Sequence, residues 1–307
     1  MKFITFEDIV SMNISPMECV EWAKYVCLHK KEYILPEKTS IKFGENCFFN
    51  TMPSFLPSHN VFGVKEVSRF TKRTPALKAD ILLYNSESGE LLSFMDGTWI
   101  TTMRTGAVAA LTISLLKKTD AKSISFIGLG NTARATLLCY DSLNNHKELN
   151  VNVLAYKTQH TDFINRFKDF KNIRFSVYEN IQKMAEESDV FVSCVTAADS
   201  EFVDESCFEK GTLVVPVHTR GFQNCDLSFD KIFCDDISHI SGFKYFNQYK
   251  FVSEMTDVLT GETGRRNDDE RILAYNIGIS IQDVYFAFEI YKKFIDRELL
   301  KENKFWV

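Results

Sequence analysis

The chain reads as an α/β protein in two parts, and two observations carry that reading. After residue 122, short apolar runs at 123–129, 149–156, 173–177, 190–194, 212–217 and 231–234 alternate with helical stretches. Such alternation predicts a parallel sheet covered on both faces. The first run ends in Gly128-x-Gly130-x-x-Ala133 and passes into a helical pattern at 134–140. Strand, glycine turn and helix follow in the order that a Rossmann-type dinucleotide-binding domain requires. The first hundred residues lack this alternation and read as a separate α+β domain.

Each residue of the glycine turn has a physical task. Gly128 makes the tight turn, Gly130 lets a pyrophosphate approach the backbone, and Ala133 lets helix and strand pack closely. Asn131, Thr132 and Ala133 open the helix, whose free N–H groups and positive dipole end favour an anion. These five residues are the first cofactor candidates. Ser193-Cys194-Val195-Thr196 follows a later strand, where the chain passes a ribose, so Cys194, Val195 and Thr196 join them. Gly278, read as opening the last helix, lies near a nicotinamide or is a packing glycine. The second strand ends Tyr156-Lys157-Thr158-Gln159-His160 with no acid for a ribose 2′-hydroxyl. Lys157 and Thr158 suit a 2′-phosphate, which favours NADP over NAD; a solvated loop lysine is the alternative.

The remaining elements are read from period and punctuation. Residues 7–29 have helical spacing with a broad apolar face. Runs at 47–52, 61–70, 79–85 and 90–95 read as strands, the last two forming a hairpin around Asn85-Ser-Glu-Ser-Gly89. Residues 105–117 read as a buried helix, apolar nearly all round, and 270–300 as a final helical stretch. The expected division is 1–104 together with 285–307 as one domain, and 105–284 as the dinucleotide-binding domain.

Composition excludes several classes. The 307 residues are 45% hydrophobic and 25% charged, with net charge −5, and the isoelectric point is about 5.8. That balance argues against a nucleic-acid groove. No apolar run approaches the roughly 20 residues of a membrane span, and the N-terminus shows no cleavable signal pattern. The eight cysteines form no C-x-x-C pair and sit at no zinc-like spacing, so no metal is expected. They read as free thiols of a reducing, cytoplasmic compartment.

Four further segments are not generic to dinucleotide-binding domains: Gly63-Val-Lys65, Leu91-Leu-Ser-Phe-Met-Asp96-Gly97-Thr98, Met103-Arg104-Thr105-Gly-Ala-Val-Ala-Ala-Leu, and Asn276-Ile-Gly278-Ile-Ser-Ile-Gln-Asp283. Their order and spacing relative to the glycine turn resemble the ornithine cyclodeaminase and mu-crystallin family, from about residue 36 to the C-terminus. The resemblance implies a homodimer whose first domain binds a small amino or imino acid and forms the dimer. It also implies hydride transfer between a nicotinamide and the α-carbon of that acid. Arg104 matches the family's carboxylate-binding arginine, a role its planar fork suits. Lys65 matches the family's lysine, a substrate-binding and catalytic group at the imine nitrogen. Asp96-Gly97-Thr98 shapes a turn, and Thr98 offers a hydroxyl to substrate. Gly278 and Asp283 close the pattern, Asp283 being read as structural.

Two departures bear on function. Where the family has a second carboxylate-binding arginine, this chain offers Lys38. Where the cyclodeaminases carry an aspartate after the fifth strand of the cofactor domain, this chain reads Pro216-Val-His218-Thr219-Arg220-Gly221, placing Arg220 on the aspartate. An arginine repels the side-chain ammonium of ornithine, attracts a second carboxylate and cannot act as base; His218, ordinarily near 6.5, is the base candidate. The expected function is therefore an imine reductase or amino-acid/opine dehydrogenase. A cyclodeaminase using bound NAD, and a non-enzymatic mu-crystallin-like binding protein, are the alternatives.

Overall fold

The computed structural model describes residues 1–195 and 200–303. Thr196, one of the cofactor candidates, lies outside them. The chain forms two compact units, Met1–Arg104 with the segment from Ile279 onward, and Thr105–Gly278.

The first unit begins with β1 (Lys2–Ile4), α1 (Phe6–Ser11) and α2 (Pro16–Leu28). The single helix expected over 7–29 is thus two. Asn13 takes φ +52°, and Ser15 restarts the helix through a capping box with Glu18 and a proline at its first position. Strands β2 (Thr39–Phe43), β3 (Cys47–Leu56), β4 (Val61–Arg69), β5 (Leu77–Asn85) and β6 (Leu91–Asp96) follow. The sheet order is β1-β6-β5-β4-β3-β2, antiparallel except where β1 joins β6. The expected hairpin is β5–β6.

Helix α3 (Thr98–Leu116) crosses the division between the units after Arg104. It starts seven residues earlier than expected because Asp96 Oδ1 accepts the Thr98 N–H at 2.7 Å. Arg104 therefore lies in its second turn rather than at its start. At 19 residues it is long and apolar enough to cross a bilayer, against the expectation that no such run exists, but most of it is buried protein core. Gly106 is the reason it packs closely on the next helix: a Cβ there would come within 2.5 Å of Ala135.

The second unit continues with β7 (Ser123–Ile127), α4 (Asn131–Leu143), β8 (Leu149–Leu154), α5 (Gln159–Arg166), β9 (Ile173–Tyr178), α6 (Ile181–Glu186) and β10 (Val190–Ser193). Then come β11 (Leu213–Pro216), β12 (Lys231–Cys234), β13 (Val252–Glu254), α7 (Met255–Leu259) and β14 (Ile272–Tyr275). Its sheet runs β13-β12-β14-β11-β10-β7-β8-β9, and all of its pairs are parallel. Strand order reverses between β7 and β10, the switch point at which this fold binds ligands. The helix expected over 270–300 is corrected here. Ile272–Tyr275 is a wholly buried strand between β11 and β12, because a four-residue apolar run carries no period that separates strand from helix.

The core of the second unit is unusually phenylalanine-rich, with Phe191, Phe208, Phe222 and Phe229 in edge contact. It also buries a carboxylate. Asp226 accepts from Tyr275 at 2.8 Å and Tyr249 at 3.0 Å, and burial raises its pKa to about 6 in spite of both bonds. The folded state then holds a proton that the unfolded chain, at 3.8, releases. Stability is expected to fall as pH rises from about 4 to 6, by at most about 3 kcal/mol. Asp226→Asn should remove that slope, which denaturant titrations across the range will read.

Helix α8 (Ser280–Asn303) closes the first unit on β3, β4, β5 and α2. Its packing is tight where Gly63 faces Val284, since a Cβ on Gly63 would meet that side chain at 3.0 Å and the Leu82 carbonyl at 2.8 Å. Ser280 donates to the Pro53 carbonyl, and Trp22 meets Phe286 edge-on at 5.1 Å. The second division falls at residue 278, six before the expected 284, so Asp283 belongs with Lys65 and Arg104.

Candidate active site

The switch point of the second unit holds a cleft of about 660 Å³. Its floor is Ile127, Gly128 and Gly130 on one side and Cys194 and Val195 on the other. Gly128 has φ +73°, and a Cβ on it would lie 2.5 Å from the Cys194 carbonyl carbon. Only glycine fits there, since both the backbone angle and the space exclude a side chain. A Cβ on Gly130, by contrast, would meet nothing within 4 Å, so this backbone faces open space. Gly130 caps α4 with no side-chain bond to its first N–H groups, leaving those donors for an anion. Thr132 lends its carbonyl to Thr136, and buried Ala133 lets α4 approach β7. The donor set and the cradle fit a dinucleotide pyrophosphate. Cys194 is no nucleophile, because burial pushes its thiol up to about 12. Gly128→Ala is expected to cost about 3 kcal/mol of stability through strain and overlap, and to weaken dinucleotide binding at least tenfold by calorimetry.

The far wall of the cleft is Tyr156, Gln159, Asp162 and Arg166. Sequence reading missed the last two. Arg166, in the last turn of α5, donates to the side-chain Oδ1 of Asn131 at 3.5 Å. Lys157, at φ +48°, and Thr158 are exposed beside this wall, with the Lys157 ammonium 5.3 Å from the Tyr156 ring centroid. Gly278, at φ +91°, sits ahead of α8 rather than in it, its N–H held by Asp235 at 2.6 Å.

The first unit gathers its candidates around one buried carboxylate. Alternation along β4 places Lys65 on the inward face with Val61, Gly63 and Val67. Asp283 Oδ1 accepts from Lys65 Nζ at 2.8 Å and from Arg104 Nε at 2.9 Å. All three are buried, at 1%, 5% and 0% exposure for Lys65, Arg104 and Asp283. Burial, then the Arg104 charge, lowers the Lys65 pKa to about 8, against the pull of Asp283. Lys38 precedes β2 and remains largely accessible. The protein around its ammonium, and then Lys42 and Arg104, lower its pKa, and its own charge is felt by Lys65. Three cations and one carboxylate leave this site in need of an anion. Thr98 has a different part, opening α3 with its hydroxyl 3.4 Å from Asp96. Asp283 is the group that sequence reading took as structural and left out of the site. Its one signal was an acid inside an apolar stretch, Ile279 to Ile290, where a buried charge demands a partner.

The segment after β11 places His218 half-buried and Arg220 exposed. His218 shares a 2.6 Å hydrogen bond with Ser193 at the end of β10 and another with the Arg220 backbone. Burial lowers it from the expected 6.5 to about 4, so at neutral pH it is an uncharged ring. That corrects the expectation of a base poised near neutrality.

A dinucleotide cleft at a parallel-sheet switch point, in a chain that also buries an Arg–Lys–Asp cluster, defines a nucleotide-dependent enzyme of small carboxylates. The chain belongs to the ornithine cyclodeaminase/mu-crystallin family, whose model matches residues 30–298. It is 26% identical over 320 residues to the alanine dehydrogenase of Archaeoglobus fulgidus, covering 98% of this chain and 96% of that one. It is 24% identical over 265 residues to the N-((2S)-2-amino-2-carboxyethyl)-L-glutamate dehydrogenase of Staphylococcus aureus, covering 79% and 77%. Its fold matches that of the Thermococcus litoralis Delta(1)-pyrroline-2-carboxylate reductase in complex with NADH and L-proline. There the TM-score is 0.84, the identity 24%, and 97% and 98% of the two chains are covered.

Proposed function

We propose that this protein is an NAD(P)-dependent oxidoreductase that moves hydride between nicotinamide and the α-carbon of an imino or amino acid, as an imine reductase or amino-acid/opine dehydrogenase. The buried Lys65–Asp283–Arg104 cluster carries this reading. Bound nicotinamide supplies hydride in one direction and accepts it in the other. Arg104 holds the α-carboxylate, and Lys38 adds a second cation at the rim. Lys65, with its pKa near 8, is mostly ammonium at neutral pH and delivers a proton to the imine nitrogen as hydride reaches carbon. In oxidation the same amine takes the proton back. Cyclodeamination needs a base for the distal amine. His218, a weak base because burial lowers its pKa to about 4, and the cation Arg220 are poor candidates, which favours the simple redox reaction. Arg220 favours substrates with a second carboxylate.

The finer assignments are ours. We assign NADP, because Lys157, Thr158 and Arg166 outweigh Asp162 at the wall where a 2′-phosphate would lie. We assign a homodimer, for which the exposed Ile41, Phe43 and Phe70 of the first unit offer apolar surface, and a cytoplasmic setting, in keeping with eight cysteines none of which forms a disulfide. The test follows nicotinamide absorbance with NADPH and NADH against cyclic imino acids and against 2-oxo acids plus amines, mono- and dicarboxylic. Coenzyme turnover supports the reading. Ammonia release from ornithine without net coenzyme change overturns it, and preference for NADH would place Asp162 on the ribose hydroxyl.

A further inference from the structure

We propose that Asp283 is a positioning residue of this site, one carboxylate oxygen of which sets both the charge of Lys65 and the aim of Arg104. The inference rests on the function proposed above and deepens it. Oδ1 takes the Lys65 ammonium and the Arg104 Nε–H together. A guanidinium has two edges that can grip a carboxylate with paired N–H groups. With Nε turned to Asp283, the edge that remains is the one formed by the two terminal nitrogens, which have no partner among the described residues. The arginine therefore meets substrate end-on, in one orientation. Asp283 Oδ2 is buried and has no hydrogen-bond partner among the described residues.

The effect on Lys65 has a definite sign. Burial and Arg104 press it toward the neutral amine, while the charge and hydrogen bond of Asp283 oppose them. Without the carboxylate, Lys65 would lose its proton at a lower pH and would no longer be the acid that imine reduction needs at neutrality. Asparagine at 283 keeps an oxygen for Arg104 Nε and removes only the charge.

The test compares wild type with Asp283→Asn and Asp283→Glu. In wild type, kcat/KM for imine reduction should fall above about pH 8, the pKa of Lys65. In Asp283→Asn that limb should move at least one pH unit toward acid, with activity recovering at low pH and KM little changed. Asp283→Glu keeps the charge and displaces it by a methylene. It should leave the limb in place and raise KM about tenfold or more. Lysine ¹³Cε resonances, assigned by Lys65→Met, give the Lys65 titration with no turnover at all. The proposal is overturned if Lys65 titrates at the same pH in wild type and Asp283→Asn. Should Asp283→Asn not fold, an Asp283→Glu enzyme equal to wild type in KM overturns it. Wild type that reduces no imine would defeat the functional reading alone, because the resonance titration still decides the part played by Asp283.

Discussion

Arg104→Lys is expected to lower kcat/KM for every α-carboxylate substrate by about 100- to 1000-fold, the equivalent of roughly 3–4 kcal/mol of transition-state binding. Lysine keeps the charge but loses the fork, and it cannot give one edge to Asp283 and the other to substrate. The change preserves the cationic partner that buried Asp283 needs. Stability should therefore suffer less than in Arg104→Ala, which leaves the carboxylate short of a partner and should cost about 3–5 kcal/mol. Dinucleotide binding, built from backbone in the other unit, should be unaffected. Calorimetric titration with coenzyme beside steady-state kinetics checks both halves, and weakened coenzyme binding in a folded Arg104→Lys protein would contradict the assignment.

Lys65→Met should be the most damaging change to chemistry and the mildest to folding. Removing the proton donor should lower kcat by about 10²–10⁴-fold at neutral pH. The stability effect has the opposite sign. Folding lowers the Lys65 pKa from 10.5 to about 8, so between those values the unfolded chain binds more protons than the folded one. Stability then rises with pH across that window, and below it the buried ammonium costs about 3 kcal/mol. Methionine matches the length of the chain without the charge, and Asp283 keeps Arg104. Melting at neutral pH should therefore be unchanged or raised, and the rise in stability between pH 8 and 10.5 should disappear. A large loss of stability would mean that the lysine is a structural tie rather than a site residue.

The glycine turn was legible because it is local. Gly128, Gly130 and Ala133 act within one strand–turn–helix, and spacing alone displays them. The close approach that makes Gly128 obligatory was not legible, since its neighbour is Cys194, 66 positions away by residue number. The same limit explains β14. Ile272–Tyr275 earns its place only by lying between β11 and β12, and nothing in four apolar residues announces those partners. The break between α1 and α2 is different, for Ser15-Pro16-x-Glu18 was a readable start signal overridden by a broad apolar face.

By itself the sequence determined the α/β class and the dinucleotide turn, which are properties of residue type and short-range order, and through its resemblance to a family it singled out Arg104 and Lys65. Tertiary structure decided the partners and the charge state of those cations. It brought Asp283 from the last helix onto Lys65 and Arg104, 218 and 179 positions away, and set the lysine near pH 8. It also closed the protein around His218, so that its ring remains neutral. Charge state and orientation depend on burial and on partners distant in sequence, and those exist only once the chain has folded.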